Sequence, residues 1–416
     1  MQESTKDKIV FKIPPVIIDK TPLRTRSFGE VEGWHHRFVN VQAALDLLGE
    51  DGSNVTIGVV DTGVDFKHLD LKQNLQPFYF DATTENNPQD ENDHGTHCVG
   101  NIGATVNNRI GVKGVLPNVK GISAKGLGRD GSGDMIDVAS AIKFCRESGC
   151  DIISLSLGAP FNSWYVEKEI KACEEAGVLV VAAAGNQGKN DFGIDYPAAY
   201  DTVLAVAAVD ELGEVAWFST RGNVDVAAPG VKIYSTITKN KVAPMSGTSM
   251  ATPIVAALAG MMVSFCKRKG IAYTLPMVRK IIKDQTHDAG VVGIDDAYGV
   301  GIIDFLQVAK YLLTLVAEED RPREELDGEQ APIVDFPNPP NLEEDTAPVP
   351  TPVEEDIPFP ESPFLDLPLP SPPPVVEPAP EQPVEEEIID SGSLNKWVGY
   401  VVAILIFVAL VWQFLN

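Results

Sequence analysis

Val55-Thr-Ile-Gly-Val-Val-Asp-Thr-Gly-Val-Asp65 reads as a buried strand that delivers a carboxylate, Asp61, at its C-terminal end. Two further apolar runs of the same kind follow, Asp151-Ile-Ile-Ser-Leu-Ser-Leu157 and Val178-Leu-Val-Val-Ala-Ala183, and the stretches 134–147 and 164–176 between them carry helical apolar spacing. Repeated β-α-β alternation predicts an α/β fold: a doubly wound parallel sheet with helices on both faces, binding its ligands at the carboxyl ends of the strands.

Two more strings fall at such ends, His94-Gly-Thr-His97 and Gly247-Thr-Ser-Met-Ala-Thr-Pro253. A serine hydroxyl is a poor nucleophile at neutral pH. It needs a base within hydrogen-bond reach, and that base needs a carboxylate to fix its tautomer. Ser249, His94 and Asp61 can fill those roles in that order. Ser249 stands where a Gly-Thr turn enters a helix predicted to run to about Cys266, whose positive end favours a developing oxyanion. Pro253 is tolerable because it lies early in that helix.

With these three motifs in the order Asp, His, Ser, residues 40–315 resemble a subtilisin-like serine protease almost throughout. The resemblance implies an endopeptidase forming an acyl-enzyme. It makes Asn186, at the end of Val181-Ala-Ala-Ala-Gly-Asn186, the oxyanion donor beside the Ser249 backbone N–H, and leaves His97 a packing role. It implies that substrate binds as an added strand between Gly131-Ser132-Gly133 and Ser156-Leu157-Gly158. The S1 pocket would lie between Ser156–Gly158, Ala183–Gly185 and Tyr196-Pro197. Asp195 takes the position at the base of S1, so that Lys or Arg is expected at P1; Asp130 and Asp134, flanking the other segment, point the same way.

The run Val106-Asn-Asn-Arg-Ile-Gly-Val112 resembles the family's calcium loop. Carried over by position, a structural Ca2+ would take the carbonyls of Val106, Ile110 and Val112, the Asn108 side chain and Asp70, with a further ligand from nearer the N-terminus unidentified. The layout is similar to that of intracellular subtilisins: no secretory signal is read at the N-terminus, and the extension of residues 1–30 is too short for a folded pro-domain. Such an extension can lie across the cleft, and Ile13-Pro14-Pro15 is the candidate element. The five cysteines (Cys98, Cys145, Cys150, Cys173, Cys266) are expected to be free thiols, with Cys98 a packing residue.

Beyond the expected catalytic domain (31–316) the composition changes. Residues 318–390 hold 22 of the 59 acidic residues and 2 of the 33 basic ones, and residues 321–392 hold 19 of the 31 prolines. Such a segment cannot bury a core, so 317–395 is expected to be a disordered stalk reaching up to about 200 Å if extended. Residues 396–416 contain an uncharged run from Trp397 to Asn416, long enough for a single-pass C-terminal transmembrane helix, with the catalytic domain on the cytoplasmic side. No basic stripe with interleaved aromatics is present, which argues against nucleic acid. Expected partners are peptide or protein substrates and a membrane. The alternatives are a dedicated maturation protease or peptide ligase of the same chemistry, and a non-catalytic membrane-anchored scaffold.

Overall fold

The computed structural model describes residues 10–18, 23–24, 29–190 and 192–319. The predicted membrane helix and all of the predicted stalk beyond Glu319 lie outside the described residues. In chain order the elements begin with β1 (Val10–Lys12), β2 (Ile17–Ile18), β3 (Leu23–Arg24), α1 (Trp34–Phe38), α2 (Val41–Leu48), β4 (Thr56–Asp61) and β5 (Leu75–Asp81). Next come α3 (His94–Gly103), β6 (Lys120–Lys125), β7 (Ser132–Asp134), α4 (Met135–Glu147), β8 (Ile152–Leu155), α5 (Trp164–Glu175) and β9 (Leu179–Ala183). The remainder are β10 (Leu204–Val209), β11 (Val226–Pro229), β12 (Ile233–Ile237), β13 (Lys241–Ser246), α6 (Thr248–Lys269), α7 (Leu275–Asp284), β14 (Thr286–His287), β15 (Ile302–Ile303) and α8 (Phe305–Glu319).

Nine strands form the central sheet in the order β14-β15-β11-β10-β9-β8-β4-β6-β5. Every pairing in it is parallel except β14 with β15. Strand order reverses at β4, so Asp61, its last residue, ends at the topological switch point where open α/β sheets bind ligands. Side chains alternate between faces as the pleat requires. Ile57, Val59, Ile152, Leu179 and Val181 join the core with α2, α3, α6 and α8, whereas Val60, Ile153, Val180 and Ala182 join a second core with α4 and α5. The strands and helices predicted between Val55 and Cys266 are all present.

Helix α6 is the spine of the larger core. It is buried from Thr248 to Cys266, which explains its weak amphipathicity. Among the described residues it is long and apolar enough to cross a membrane, but its apolar window is wholly enclosed by the protein. Pro253 is its sixth residue, early in the helix as expected, and it can give no N–H to the carbonyl four residues back. That carbonyl belongs to Ser249, and it is satisfied instead by Ser156 Oγ at 2.9 Å and Cys98 Sγ at 3.5 Å.

The cysteines are free and buried, as expected. Two of them close α4: Cys150 N–H bonds the Cys145 carbonyl (3.2 Å) and Gly149 N–H, at φ 78°, bonds that of Arg146 (3.2 Å). This is a Schellman end, whose flanking side chains meet apolarly.

Three buried histidines, His35, His36 and His97, lie near one another. Burial lowers all of them, His36 to about 4 and His97 to about 3, with His35 well below the ordinary 6.5. Because the unfolded chain takes up these protons near pH 6.5 and the folded one does not, stability is lost as pH falls below 6.5. His36 Nε2 pairs with the Lys113 carbonyl at 3.0 Å, a bond an amide can keep. Comparing thermal unfolding of wild type and His36→Gln at pH 7 and pH 5 should show wild type losing about 2 kcal/mol relative to the variant at the lower pH. Parallel curves would mean that His36 is not held neutral.

Candidate functional site

Asp61, His94 and Ser249 are carried by β4, the first residue of α3 and the second residue of α6. The His94 ring nitrogen Nδ1 lies 2.8 Å from Asp61 Oδ1, both side chains being almost fully buried. Burial pulls the His94 pKa down, but the Asp61 charge and hydrogen bond, with Cys98 assisting, hold it well above 6.5. Cys98 Sγ stands 3.9 Å from Nδ1, its own pKa raised by burial, so the thiol stays neutral and the packing role expected of it is what its surroundings provide. His97 spans β12 and β13, with Nε2 at 3.0 Å from the Ile233 carbonyl and 3.1 Å from that of Ala243.

Ser249 Oγ does not engage the imidazole. It donates to the Ser156 carbonyl at 3.3 Å, and His94 Nε2 has no hydrogen-bond partner among the described residues. Asn186 is fixed by its carbonyl oxygen, which accepts from Thr248 N–H (2.9 Å) and Thr248 Oγ1 (2.8 Å). Its Nδ2 donates at 3.0 Å to the carbonyl of Pro15.

That carbonyl belongs to the N-terminal extension, which lies through the cleft. Strand β1 pairs antiparallel with β7, Val10 opposite Asp134, Phe11 opposite Gly133 and Lys12 opposite Ser132; Ile13 N–H then bonds the Gly131 carbonyl at 2.9 Å. On the other edge Lys12 and Gly158 exchange both main-chain bonds, at 3.0 and 2.9 Å. Both segments expected to receive a substrate strand, 131–133 and 156–158, therefore flank one strand, supplied by the same chain. Gly158 permits the close approach: a Cβ there would come within 2.7 Å of Asp195 Cβ. Phe11 is fully buried in the core that contains Leu127, Val138, Leu157 and Val166. Beyond the cleft, β2 and β3 add to β13. The described parts of the extension, 10–18 and 23–24, thus pair with strands and segments of the body.

The register has a chemical consequence. Antiparallel pairing alternates, so with Lys12 and Gly158 doubly bonded the next doubly bonded pair would be residues 14 and 156. Residue 14 is proline and has no N–H. The Ser156 carbonyl is left free, and the Ser249 hydroxyl takes it.

Asp195 is buried, with Oδ2 accepting from Gln187 Nε2 at 2.9 Å. Burial raises its pKa and the Gln187 bond offsets part of that rise. It sits against Gly158 and Gly185, and the Tyr196–Ala159 pairing closes the same wall, so the three predicted S1 segments do come together. Asp130 accepts from Ser132 N–H (3.0 Å) and Oγ (2.7 Å), and Asp134 caps α4 through Ile136 N–H (2.8 Å). The Ser132 bonds hold the Asp130 carboxyl below its ordinary range, and the charge of Lys12 on the cleft strand adds to them.

The predicted metal loop curls through Asn107 and Arg109, both at positive φ (65° and 66°). Asn108 Nδ2 and Val112 N–H, the latter at 2.9 Å, converge on the Asp70 carboxylate. Val106 and Ile110 lie in the same loop. A second carboxylate that sequence reasoning did not name, Glu30, stands at the same loop: its Oε1 accepts from Asn108 N–H at 3.2 Å, brought there by the Val31–Val112 pairing. Burial, with the Glu30 charge adding to it, pushes Asp70 up to about 6 against its two hydrogen bonds. Asn108 turns its Nδ2 to Asp70 and gives its Oδ1 to Ile110 N–H at 2.9 Å, so the two carboxylates are the oxygen donors that could hold a hard divalent cation as the loop stands.

Comparison with known proteins agrees with this geometry. The model of the Subtilase family matches residues 52–301. A thermophilic serine proteinase of Bacillus sp. (strain AK1) is 44% identical over 213 residues, 51% of this chain and 53% of that protein. Thermitase of Thermoactinomyces vulgaris is 40% identical over 215 residues (51% of this chain, 76% of thermitase), and subtilisin Savinase of Lederbergia lenta 38% over 266 (64% and 94%). The match to the first of these spans only about half its length. With its sheet, its switch-point carboxylate and the order of its motifs all in agreement, this chain belongs to the subtilase family.

Proposed function

We propose that the chain is a serine endopeptidase acting through an acyl-enzyme at Ser249, and that its N-terminal strand keeps it latent. One observation carries the reading: a buried 2.8 Å Asp61–His94 contact opens on a cleft whose two edges already hold an extended strand, one of whose carbonyls receives Asn186 Nδ2. With a substrate strand in place of the arm, its N–H would take the Ser156 carbonyl and release Ser249 toward His94. Oγ attacks the scissile carbonyl while His94 Nε2 takes its proton. Asp61 holds the imidazolium through Nδ1–H, and Asn186 Nδ2 with the Ser249 N–H binds the oxyanion. His94 then protonates the leaving amine, and water repeats the sequence on the acyl-enzyme.

Asp195 supports a preference for Lys or Arg at P1, because a buried carboxylate whose polar partner is an amide gains most from a cation. The Asp70–Glu30–Asn108 cluster supports a structural Ca2+, completed by the carbonyls of Val106, Ile110 and Val112. It would neutralise two facing carboxylates and brace the entry to α1, contributing no step to the chemistry. Residues 317–395 and 396–416 supply a stalk and membrane anchor by composition, restricting substrates to those near that surface.

The decisive test gives the full-length chain a specific protease site between Ile18 and Gly29 and incubates it in detergent with a mixed peptide library, before and after the cut, mapping cleavage by mass spectrometry. Cleavage after Lys and Arg is expected once the link is cut, and little before; it should be absent in Ser249→Ala and lose its basic preference in Asp195→Asn. Cuts after apolar residues would leave the protease and remove the role of Asp195; a folded chain inert even to a fluorophosphonate after the link is cut would favour the scaffold reading. In the Pro14→Lys, Pro15→Ala chain, residue 14 regains an N–H for Ser156 and carries the side chain expected at P1, and self-cleavage between residues 14 and 15 should appear in the intact mass but not when Ser249 is also alanine. A chain with these two substitutions that stays whole while labelling fully with fluorophosphonate would sink this account of latency. Finally, Ca2+ at 100 times its Kd should stabilise wild type by about 2.7 kcal/mol, raising Tm by about 5–10 °C, with no shift in Asp70→Ala.

A further inference from the structure

We infer that Asp90 is a positioning residue for the acyl-transfer chemistry, its buried carboxylate fastening the loop behind Asp61 to the first turn of the helix that carries His94. The inference rests on the triad reading above and goes beyond it. Asp90 is 3% exposed, yet both its oxygens are filled. Oδ1 accepts from Thr62 Oγ1 (2.9 Å), Asn92 N–H (2.8 Å) and Asp93 N–H (3.2 Å); Oδ2 accepts from Thr96 N–H (2.9 Å) and Thr96 Oγ1 (2.6 Å).

Each partner adjoins a reacting group. Thr62 follows Asp61 directly, and its Oγ1 in turn accepts from Gly95 N–H (3.0 Å), the residue after His94. Thr96 Oγ1 accepts from Asp65 N–H (3.0 Å), so the 61–65 loop is tied to α3 at a second point. The seam is tight: a Cβ on Gly95 would fall 2.2 Å from the Gly63 carbonyl and 3.2 Å from Asp61 Cβ.

Helix α3 also depends on Asp90 for its start. Its own N-cap residue, Asp93, sits at φ 86° and makes no side-chain cap; its carboxylate bonds Thr238 instead. The third helical residue is Thr96, whose N–H an N-cap side chain would ordinarily take, and Asp90 takes it from outside the helix. His94 therefore begins a helix whose first turn is held by one buried charge, and that charge also holds the neighbour of Asp61. An asparagine of the same shape would place an amide NH2 against donors on one side or the other, loosening the Asp61–His94 contact.

The effect is separable from simple destabilisation. The groups facing His94 are Asp61, Cys98 and His97, and of these Asp61 does most to raise its pKa. A looser Asp61 contact must therefore lower the pK of the acid limb of kcat/KM, which a fall in the folded fraction would not do. Full-length wild type, Asp90→Asn and Thr62→Val, each with the link between Ile18 and Gly29 cut at an inserted protease site so that the arm is released, are compared on a short peptide ester from pH 5 to 9, with thermal unfolding of the same samples and the rate of fluorophosphonate labelling. Thr62→Val removes the link to Gly95 but keeps the Asp90 charge and the Thr96 cap, so it decides the matter if Asp90→Asn does not fold.

The expected result is a kcat lower by about tenfold to a hundredfold, KM changed by less than about twofold, and the acid limb moved down by about half a unit. Asp90→Glu should recover part of the loss, since it retains the charge. Activity that merely follows the folded fraction, with an unmoved acid limb, would overturn the inference, as would variants as active as wild type. A folded wild type that never labels even with the link cut would instead remove the triad reading, and this one with it.

Discussion

A helix with no solvent face organises this protein. Helix α6 runs beneath the carboxyl-end half of the sheet with its residues from Thr248 to Cys266 shut off from water, so the sheet on one side and α3, α7 and α8 on the other must accommodate it. A buried helix can tolerate no unmatched backbone group. Where Pro253 leaves the Ser249 carbonyl unmatched, Ser156 and Cys98 reach in from separate elements to fill it. The nucleophile's own backbone is thereby pinned to the substrate-binding segment and to the His94 helix. A defect in one hydrogen-bond ladder is what locks three elements together at the site.

A second missing N–H works in the opposite direction. Pro14 leaves the Ser156 carbonyl without its strand partner, and the hydroxyl of Ser249 accepts the vacancy at 3.3 Å, turned from His94. Occupation of the cleft and misdirection of the nucleophile therefore have one origin. Phe11, buried in the core beside Leu157, sets the register that brings proline to that point.

Much of this was legible because the chemistry is local in sequence. Asp61, His94 and Ser249 each sit inside a short run whose strand or helix character is plain, and the parallel sheet follows from the alternation around them. Asn186 and the 131–133 and 156–158 segments came through family resemblance, and in the structure all three border the strand 10–15. Glu30 was not legible: its role depends on Val31 pairing with Val112, a contact across 81 residues that leaves no periodic signal. Ile13-Pro14-Pro15 could be picked out, but not its seat, since the partner strands lie more than a hundred residues away. The local duties of Asp130 and Asp134 were also written in the sequence, since an Asp-x-Ser turn and an acid just ahead of a helix are signals for capping.

If the strand in the cleft keeps the protease latent, as proposed, its continuity with the catalytic domain through the residues between Ile18 and Gly29 sets how that latch behaves. A segment held on a short link competes for its site at an effective concentration in the millimolar range, whatever the dilution of the protein. Weak intrinsic binding is then enough to keep the cleft closed, and external peptides at ordinary concentrations displace it poorly. One cut in the link changes the reaction order: the same strand becomes a free peptide at nanomolar or micromolar concentration and is lost by dilution. The device works as a one-way ratchet, in which a single covalent event is converted by chain entropy into lasting exposure of the site.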